Sequence, residues 1–336
     1  MVDDLTLITG AAGEIGHGLL RSMGTADPDR LLALDRNDLG PDLRLCCREF
    51  LQADVLDEGH LAELGNRYRV RTIYHLAAIL STTAEHNPRL AHRVNVEGTF
   101  NMLEFAVDQA RRRGEPVTFV FPSSVAVYGF ASVSAKLAAG PVTEQAVCSP
   151  TTIYGASKLY CEHLGSYFSR SQHRSRGELA IEFRALRLPG LISAETLPTG
   201  GTSDYGPEML HHAAEGRPYD CFVRPDTRMP FLTMPDAVRA LIELAAAPFL
   251  PRRVYNVTGF SPSAEELQTV VAEFFPNAEV RYEPDSRRQA IVDSWPAEMD
   301  DRAARGDWGW APRHGLRSAF EDYLIPAVSR RYAPAS

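Results

Sequence analysis

Apolar residues along the chain fall into short unbroken runs, separated by longer segments with helical spacing. Leu5-Thr6-Leu7-Ile8-Thr9 is the first run. It lacks polar alternation, which suits a strand buried on both faces, as in a parallel sheet. Leu31-Leu32-Ala33-Leu34, Phe50-Leu51-Gln52-Ala53, Thr72 to Ala78 and Val117-Thr118-Phe119-Val120-Phe121 read as further strands. Between them the spacing predicts helices. One runs from about Glu14 to Met23. A longer one covers Leu90 to Arg113, with Val94, Val96, Phe100, Leu103, Val107 and Ala110 apolar. A third follows Pro150 and bears Leu159, Leu164 and Phe168.

Composition narrows the function classes. With 336 residues the chain has room for one large domain or two closely joined ones. A net charge of −8 and a pI of about 5.7 argue against a nucleic-acid partner, which would call for a basic face. No apolar run approaches the length needed to span a bilayer, so no membrane partner is expected. The acidic start Met1-Val2-Asp3-Asp4 lacks the basic region of a signal peptide. Cys46, Cys47, Cys148, Cys161 and Cys221 are odd in number and form no CxxC pair. Reduced thiols and a cytoplasmic setting are the expectation. No cluster of metal ligands stands out, and no metal is expected.

Candidate chemistry gathers at the ends of the strands. Gly10-Ala11-Ala12-Gly13-Glu14-Ile15-Gly16 follows the first strand directly. Small residues there let the backbone turn sharply and approach a pyrophosphate, and the helix beginning at Glu14 and Ile15 offers its amides to the anion. Asp35 ends the second strand, 19 residues after Gly16 (35 − 16). A carboxylate there accepts both hydroxyls of an adenosine ribose and repels a 2′-phosphate, which predicts NAD over NADP. Arg36 beside it works the other way, as a partner for such a phosphate. Ala77 and Ala78 leave room for close backbone approach, and Ser81 opens a loop at the same end of the sheet. His75 reads as a core residue, since nothing pairs it with a nucleophile. In Thr151 to Lys158, Tyr154 and Lys158 lie four apart on one helical face. A cation beside a phenol lowers its pKa and makes it a general base. That pair alone is compatible with chance; the glycine loop, Asp35, Ser124 and the pair in this order are not.

The glycine spacing resembles that of the extended short-chain dehydrogenase/reductase superfamily. The resemblance implies an α/β fold, a Rossmann-type doubly wound parallel sheet with a smaller α/β C-terminal substrate lobe. It places the NAD-binding domain at 1–185, with 231–258 returning to it, and the substrate lobe at 186–230 and 259–336. Ser124, Tyr154 and Lys158 match the superfamily's catalytic serine, tyrosine and lysine. The serine hydrogen-bonds the reacting oxygen, the tyrosine shuttles its proton, and the lysine lowers the tyrosine pKa and binds the nicotinamide ribose. Asp54 and Val55 would border the adenine, and Asn95 would orient the lysine. Leu76 and Leu188 would line the cofactor, the latter in a strand, Ala185 to Ile192, beside the nicotinamide. A homodimer built on the Leu90–Arg113 and Tyr154–Phe168 helices is also implied.

The second half narrows the resemblance. Gly200-Gly201-Thr202-Ser203-Asp204-Tyr205 and Asp293-Ser294-Trp295-Pro296 look like the short-chain-type L-threonine 3-dehydrogenases. That family implies NAD-dependent oxidation of L-threonine at C3 to 2-amino-3-oxobutyrate. Ser81, Ser124, Tyr154, Thr202 and Asp204 match its substrate residues, with Asp204 facing the ammonium. Two alternatives remain: a nucleotide-sugar epimerase or dehydrogenase using Arg228 for phosphate, and a non-catalytic NAD sensor. Another β-hydroxy amino acid is an open choice of substrate. The stretch from Gly129 to Ser149, with Ala135 to Ala139 as a short helix, reads as a long lid-like loop, and Ser169 to Gly177 as a basic insert.

Overall fold

The computed structural model describes residues 4–170, 181–198 and 200–332, so most of the basic insert lies outside the described residues. The strands are β1 (Leu5–Thr9), β2 (Leu31–Asp35), β3 (Glu49–Gln52), β4 (Val70–His75), β5 (Thr118–Ser124), β6 (Glu182–Leu188), β7 (Gly190–Ile192), β8 (Tyr219–Cys221), β9 (Phe231–Thr233), β10 (Val254–Asn256) and β11 (Val280–Tyr282). Seven form one sheet in the order β10-β6-β5-β4-β1-β2-β3. β1 pairs in parallel with β2 and β4, β2 with β3, and β4 with β5. The chain thus winds outward from β1 to β3, then returns to β4 and winds the other way. This is the expected doubly wound α/β sheet, and its switch point lies between β1 and β4, where such sheets bind ligands at their carboxyl ends. The unbroken apolar runs follow from that architecture. Leu7, Ile8, Leu32, Ala33 and Ile73 are fully buried, as strands covered on both faces require.

Two compact units are present. One comprises Met1–Ser124, Ile153–Arg187 and Val238–Tyr255; the other comprises Val125–Thr152, Leu188–Ala237 and Asn256–Ser336. In the first, the helix Gly98–Arg113 packs Met102, Leu103 and Ala106 into one core with Phe119, Phe121 and Phe183. Each fully buried Leu or Phe contributes about 1.5–3 kcal/mol. The helix Ile153–Phe168 approaches that core closely, because a Cβ on its Gly165 would sit 2.1 Å from the Phe183 ring. Gly165→Ala would force the two apart.

The second unit contains two small parallel pairs, β7 with β9 and β8 with β11. Its helix Ala264–Phe274 opens on a capping box formed by Ser263 and Glu266. The long stretch after Gly129 belongs here and is no open lid. Ser132 caps a helix over Val133–Ala139. Phe130 donates its amide to Ser294 O (2.8 Å), Val142 to Glu298 O (3.0 Å), and Asn256 Nδ2 bonds Val142 O (2.9 Å). Gly129 is obligatory, since a Cβ there would lie 1.7 Å from Ser149 O.

Three further elements differ from the sequence pattern. The run Ala185 to Ile192 splits into β6 and β7 at Pro189, which has no amide to donate to a ladder. Ser81 begins a helix, Ser81–His86, rather than a loop. The long helix expected from Leu90 starts at Pro88, with Asn87 as its cap, and contains a π-turn at Arg93–Glu97.

Candidate active site

The candidate reacting groups stand on regular elements of the first unit. Ser124 is the last residue of β5, and its hydroxyl is hydrogen-bonded to the Tyr154 phenol. Tyr154 and Lys158 occupy the first turns of the helix Ile153–Phe168. The amide of Ile153, an otherwise orphaned helix-start donor, is accepted by Glu85 Oε1 at 2.8 Å. Lys158 is 4% exposed. Its Nζ donates to Pro122 O at 2.7 Å and lies 4.4 Å from the Phe121 ring centre and 5.7 Å from that of Tyr154.

Burial governs both proton affinities. It pushes the Tyr154 phenol up to about 12, against the lowering effect of the Ser124 hydrogen bond. It brings the Lys158 ammonium down to about 8, opposed by Cys161 and Glu162. The expected lysine-driven lowering of Tyr154 is thus not the dominant effect here. The ammonium is directed at the Pro122 carbonyl, and desolvation of the phenol outweighs it.

Asn95 lies in the π-turn. Its side chain is bonded twice to Ile79, accepting from the amide at 2.7 Å and donating to the carbonyl at 3.0 Å, and also donates to Ser157 Oγ at 3.3 Å. It therefore fastens the segment leading to Ser81, and its side chain holds the tyrosine helix at Ser157. A π-turn displaces a carbonyl from the regular ladder. The Asn95 carbonyl accepts from Thr99 Oγ1 (2.6 Å) and Cys161 Sγ (3.2 Å). Because Thr99 donates there, it accepts from His75 Nε2 at 3.0 Å, which leaves Nδ1 to accept from Thr9 Oγ1 at 2.8 Å. His75 is 1% exposed and pushed down to about 3, chiefly by burial and then by Lys158. It is a neutral core residue.

The glycine loop fits a dinucleotide. Gly10 has φ +70°, and a Cβ there would lie 2.6 Å from Ala77 N, so β1 and β4 exits touch backbone to backbone. A Cβ on Gly16 would lie 2.5 Å from Ala11 O, whereas Gly13 meets only Gly10 O, at 3.3 Å. Gly13 caps the helix Glu14–Gly24 without a side-chain bond, which leaves that end shaped for an anion. Ile15 lies in its first turn. Asp35, half-buried, accepts from Ala12 N (2.9 Å) and Asn37 N (2.8 Å). A carboxylate has lone pairs left for ribose hydroxyls after two such bonds. A cleft of about 520 Å³ lies beyond it, lined by Arg36, Asp54, Leu56, Leu90, Arg93 and Val94 among others. Val55 is buried beneath, and its carbonyl accepts from Asn101. Leu76, Ala77 and Ala78 are half-buried at the β4 exit. Ser81 is 9% exposed at the start of its helix. Leu188 ends β6.

In the second unit, Thr202 is buried and Asp204 precedes the helix Tyr205–Ala214. Asp204 Oδ2 accepts from Gly201 N at 2.6 Å, and Arg288 donates to Gly201 O at 2.6 Å. The two peptides flanking Gly201 are thereby fixed, one through its amide and one through its carbonyl. Arg288 also covers the Phe222 ring. Arg228 is bound to Glu266 (2.8 Å) and to the Ser261 carbonyl. Among the described residues no group of three or more His, Cys, Asp or Glu is placed to hold a metal, and no helix is long and apolar enough to cross a membrane.

Sequence reasoning missed Glu85 and Arg288. Glu85 lies 68 residues from the amide it caps, so no local pattern reveals it. Arg288 lies in the stretch leading to Asp293–Pro296, but its target is 87 residues away.

Comparison with known proteins fits this geometry. The sequence matches the NAD dependent epimerase/dehydratase family over residues 6–258. It is 35% identical over 306 residues to the protein of Bos taurus named L-threonine 3-dehydrogenase, mitochondrial, covering 90% of this chain and 77% of the bovine one. The holo structure of a GalE-like L-threonine dehydrogenase from Cupriavidus necator superposes with a TM-score of 0.83 at 35% identity, covering 95% of this chain and 99% of that one. A monomeric L-threonine 3-dehydrogenase from a metagenome gives 0.84 at 33% identity, covering 97% and 99%. The chain belongs to the NAD-dependent epimerase/dehydratase family, as an oxidoreductase whose cofactor is NAD.

Proposed function

We propose that this chain oxidises L-threonine at C3 to 2-amino-3-oxobutyrate. The observation that carries the reading is the Ser124–Tyr154 hydrogen bond with Lys158 buried one turn on. Tyr154, protonated in the cofactor-free protein, would act as the base for the C3 hydroxyl proton once the positive nicotinamide beside it, with Lys158, favours its phenolate. Ser124 donates to the same oxygen and holds it in place. As the O–H pair forms the carbonyl, the C3–H bond releases its electron pair as hydride. NAD⁺, when bound, accepts that hydride. Lys158 presents its ammonium to the nicotinamide ribose, and Gly10, Gly13, Gly16 and Asp35 hold the pyrophosphate and adenosine ribose. Asp54, Val55 and Leu188 border the two ring ends. In the first unit Ser81 is the candidate for the substrate carboxylate; in the second unit Thr202 is a candidate for that group and Asp204, which also holds the Gly201 amide, for the ammonium. The unit of Met1–Ser124, Ile153–Arg187 and Val238–Tyr255 serves as the cofactor domain, and that of Val125–Thr152, Leu188–Ala237 and Asn256–Ser336 as the substrate lobe.

The setting is cytoplasmic and the assembly a homodimer. Phe100, Tyr160 and Tyr167 are 38%, 52% and 50% exposed on the two helices concerned, and Phe168 joins Phe100 to Tyr167 through edge contacts. Exposed aromatic side chains on these two helices favour a partner. Light scattering tests it: a monomeric mass overturns the dimer and leaves the chemistry untouched.

The deciding experiment follows NADH absorbance with purified protein, NAD⁺ and L-threonine, other β-hydroxy amino acids, or UDP-sugars. NADH from L-threonine supports the reading; none, with turnover of another substrate, overturns it. The Arg228 pairing with Glu266 speaks against the nucleotide-sugar alternative, which asks that side chain to meet phosphate.

A further inference from the structure

A second buried polar group adjoins the candidate reacting residues; its Glu162 favours the Lys158 ammonium, and none of its members meets the substrate in the chemistry above. Glu162, one turn beyond Lys158, is 3% exposed. Arg187, at the end of β6, is 5% exposed, and Ser123, next to Ser124, is 2% exposed. Arg187 grips the carboxylate with two bonds, Nε to Oε1 at 2.9 Å and Nη2 to Oε2 at 2.7 Å. Ser123 Oγ donates to Oε1 at 2.5 Å.

The cost of this arrangement calls for a reason. Removing two charges from water is expensive, and apolar side chains of the same volume generally fold as well or better. What apolar packing lacks is direction. A bidentate guanidinium–carboxylate pair fixes distance and angle together. Each of the three elements joined here delivers a reacting or cofactor-facing residue one position or one turn away: β5 delivers Ser124, the helix delivers Tyr154 and Lys158, and β6 delivers Leu188. The other groups facing Glu162 are Lys158 and Cys161 on its own helix.

We propose that Ser123, Glu162 and Arg187 are positioning residues, a buried clasp that sets the register between β5, β6 and the tyrosine helix so that Ser124 stays in hydrogen-bonding reach of Tyr154. The inference rests on the reading of Ser124 and Tyr154 as the reacting pair. It concerns their placement rather than the substrate.

Ser123→Ala loosens the clasp at the strand while leaving the ion pair whole. The expected result is a fall in kcat of at least about tenfold, since small misplacements of reacting groups are costly in rate. KM for L-threonine, NAD affinity and the melting temperature stay near wild type. An unchanged kcat, or a lowered melting temperature with unchanged kcat, overturns the proposal. A second variant, Glu162→Met with Arg187→Met, removes both charges together so that neither is stranded. Its folded fraction is expected to bind NAD and turn over slowly; wild-type kcat in that fraction overturns the proposal. Should the wild-type protein give no NADH from L-threonine, the proposed substrate fails but the clasp is still read. In ¹³C-tyrosine NMR at neutral pH, assigned with Tyr154→Phe, the Tyr154 ring resonance is expected to shift in Ser123→Ala, because the Ser124 hydrogen bond to the phenol is loosened. An unmoved resonance overturns the clasp without any substrate.

Discussion

The Ser124–Tyr154–Lys158 cluster and the Gly200–Asp204 segment are held by different means. The cluster stands on a strand end and the opening turns of a helix, and its side chains bond to groups those elements already fix, such as Pro122 O. The segment is a turn. Two side chains hold the peptides on either side of one residue, Asp204 at the amide and Arg288 at the carbonyl of Gly201. Side chains on regular elements are held with narrow tolerance, whereas a turn supported by side chains can vary without disturbing the sheet.

Breaking each region should therefore affect different kinetic constants. Tyr154→Phe keeps the ring and removes the proton acceptor. Steady-state assay should show kcat reduced about 10³-fold, within the range of general acid–base catalysis. NAD affinity, read by fluorescence quenching, should stay within about twofold, since the phenol hydroxyl acts on the substrate oxygen. Residual activity near wild type would remove Tyr154 from the base role. Arg288→Ala acts on the other region. It leaves the Gly201 carbonyl without its charged donor, an interaction of about 1.5–3 kcal/mol, so KM for the amino acid should rise roughly ten- to a hundredfold with kcat little changed. A drop in kcat at constant KM would show instead that the turn serves the chemical step.

The same contrast explains what was legible beforehand. Glycine spacing, strand-end Asp35 and the Tyr154–Lys158 interval are local signals, and the β1–β5 strands and the tyrosine helix follow from apolar periodicity. The π-turn at Asn95 has no periodic signature, because one extra residue in a turn leaves the apolar stripe nearly intact. The Gly129–Ser149 stretch reads as a loop because its ties run to residues 256 and 292–298, far along the chain. Sequence spacing shows the cation near Tyr154 but not the burial that outweighs it.

The smallest expected effect concerns the core beneath the cluster, and it separates rigidity from chemistry. His75 is locked neutral between Thr9 and Thr99 and titrates at about 3, against 6.5 for an unburied histidine. Between those values the unfolded chain binds a proton that the folded chain refuses. Stability is therefore whole above 6.5 and declines as the pH falls toward 3. One pH unit below 6.5 the loss attributable to this ring is about 1.4 kcal/mol. His75→Gln cannot titrate. It should lower stability at neutral pH by disturbing the Thr9–Thr99 chain, yet show a shallower decline in urea midpoint between about pH 7 and about pH 5.5 than the wild type. An equal decline would place the acid sensitivity elsewhere. If the decline is shallower and kcat at neutral pH is kept, the histidine supports the fold around Asn95 without setting the geometry of Tyr154.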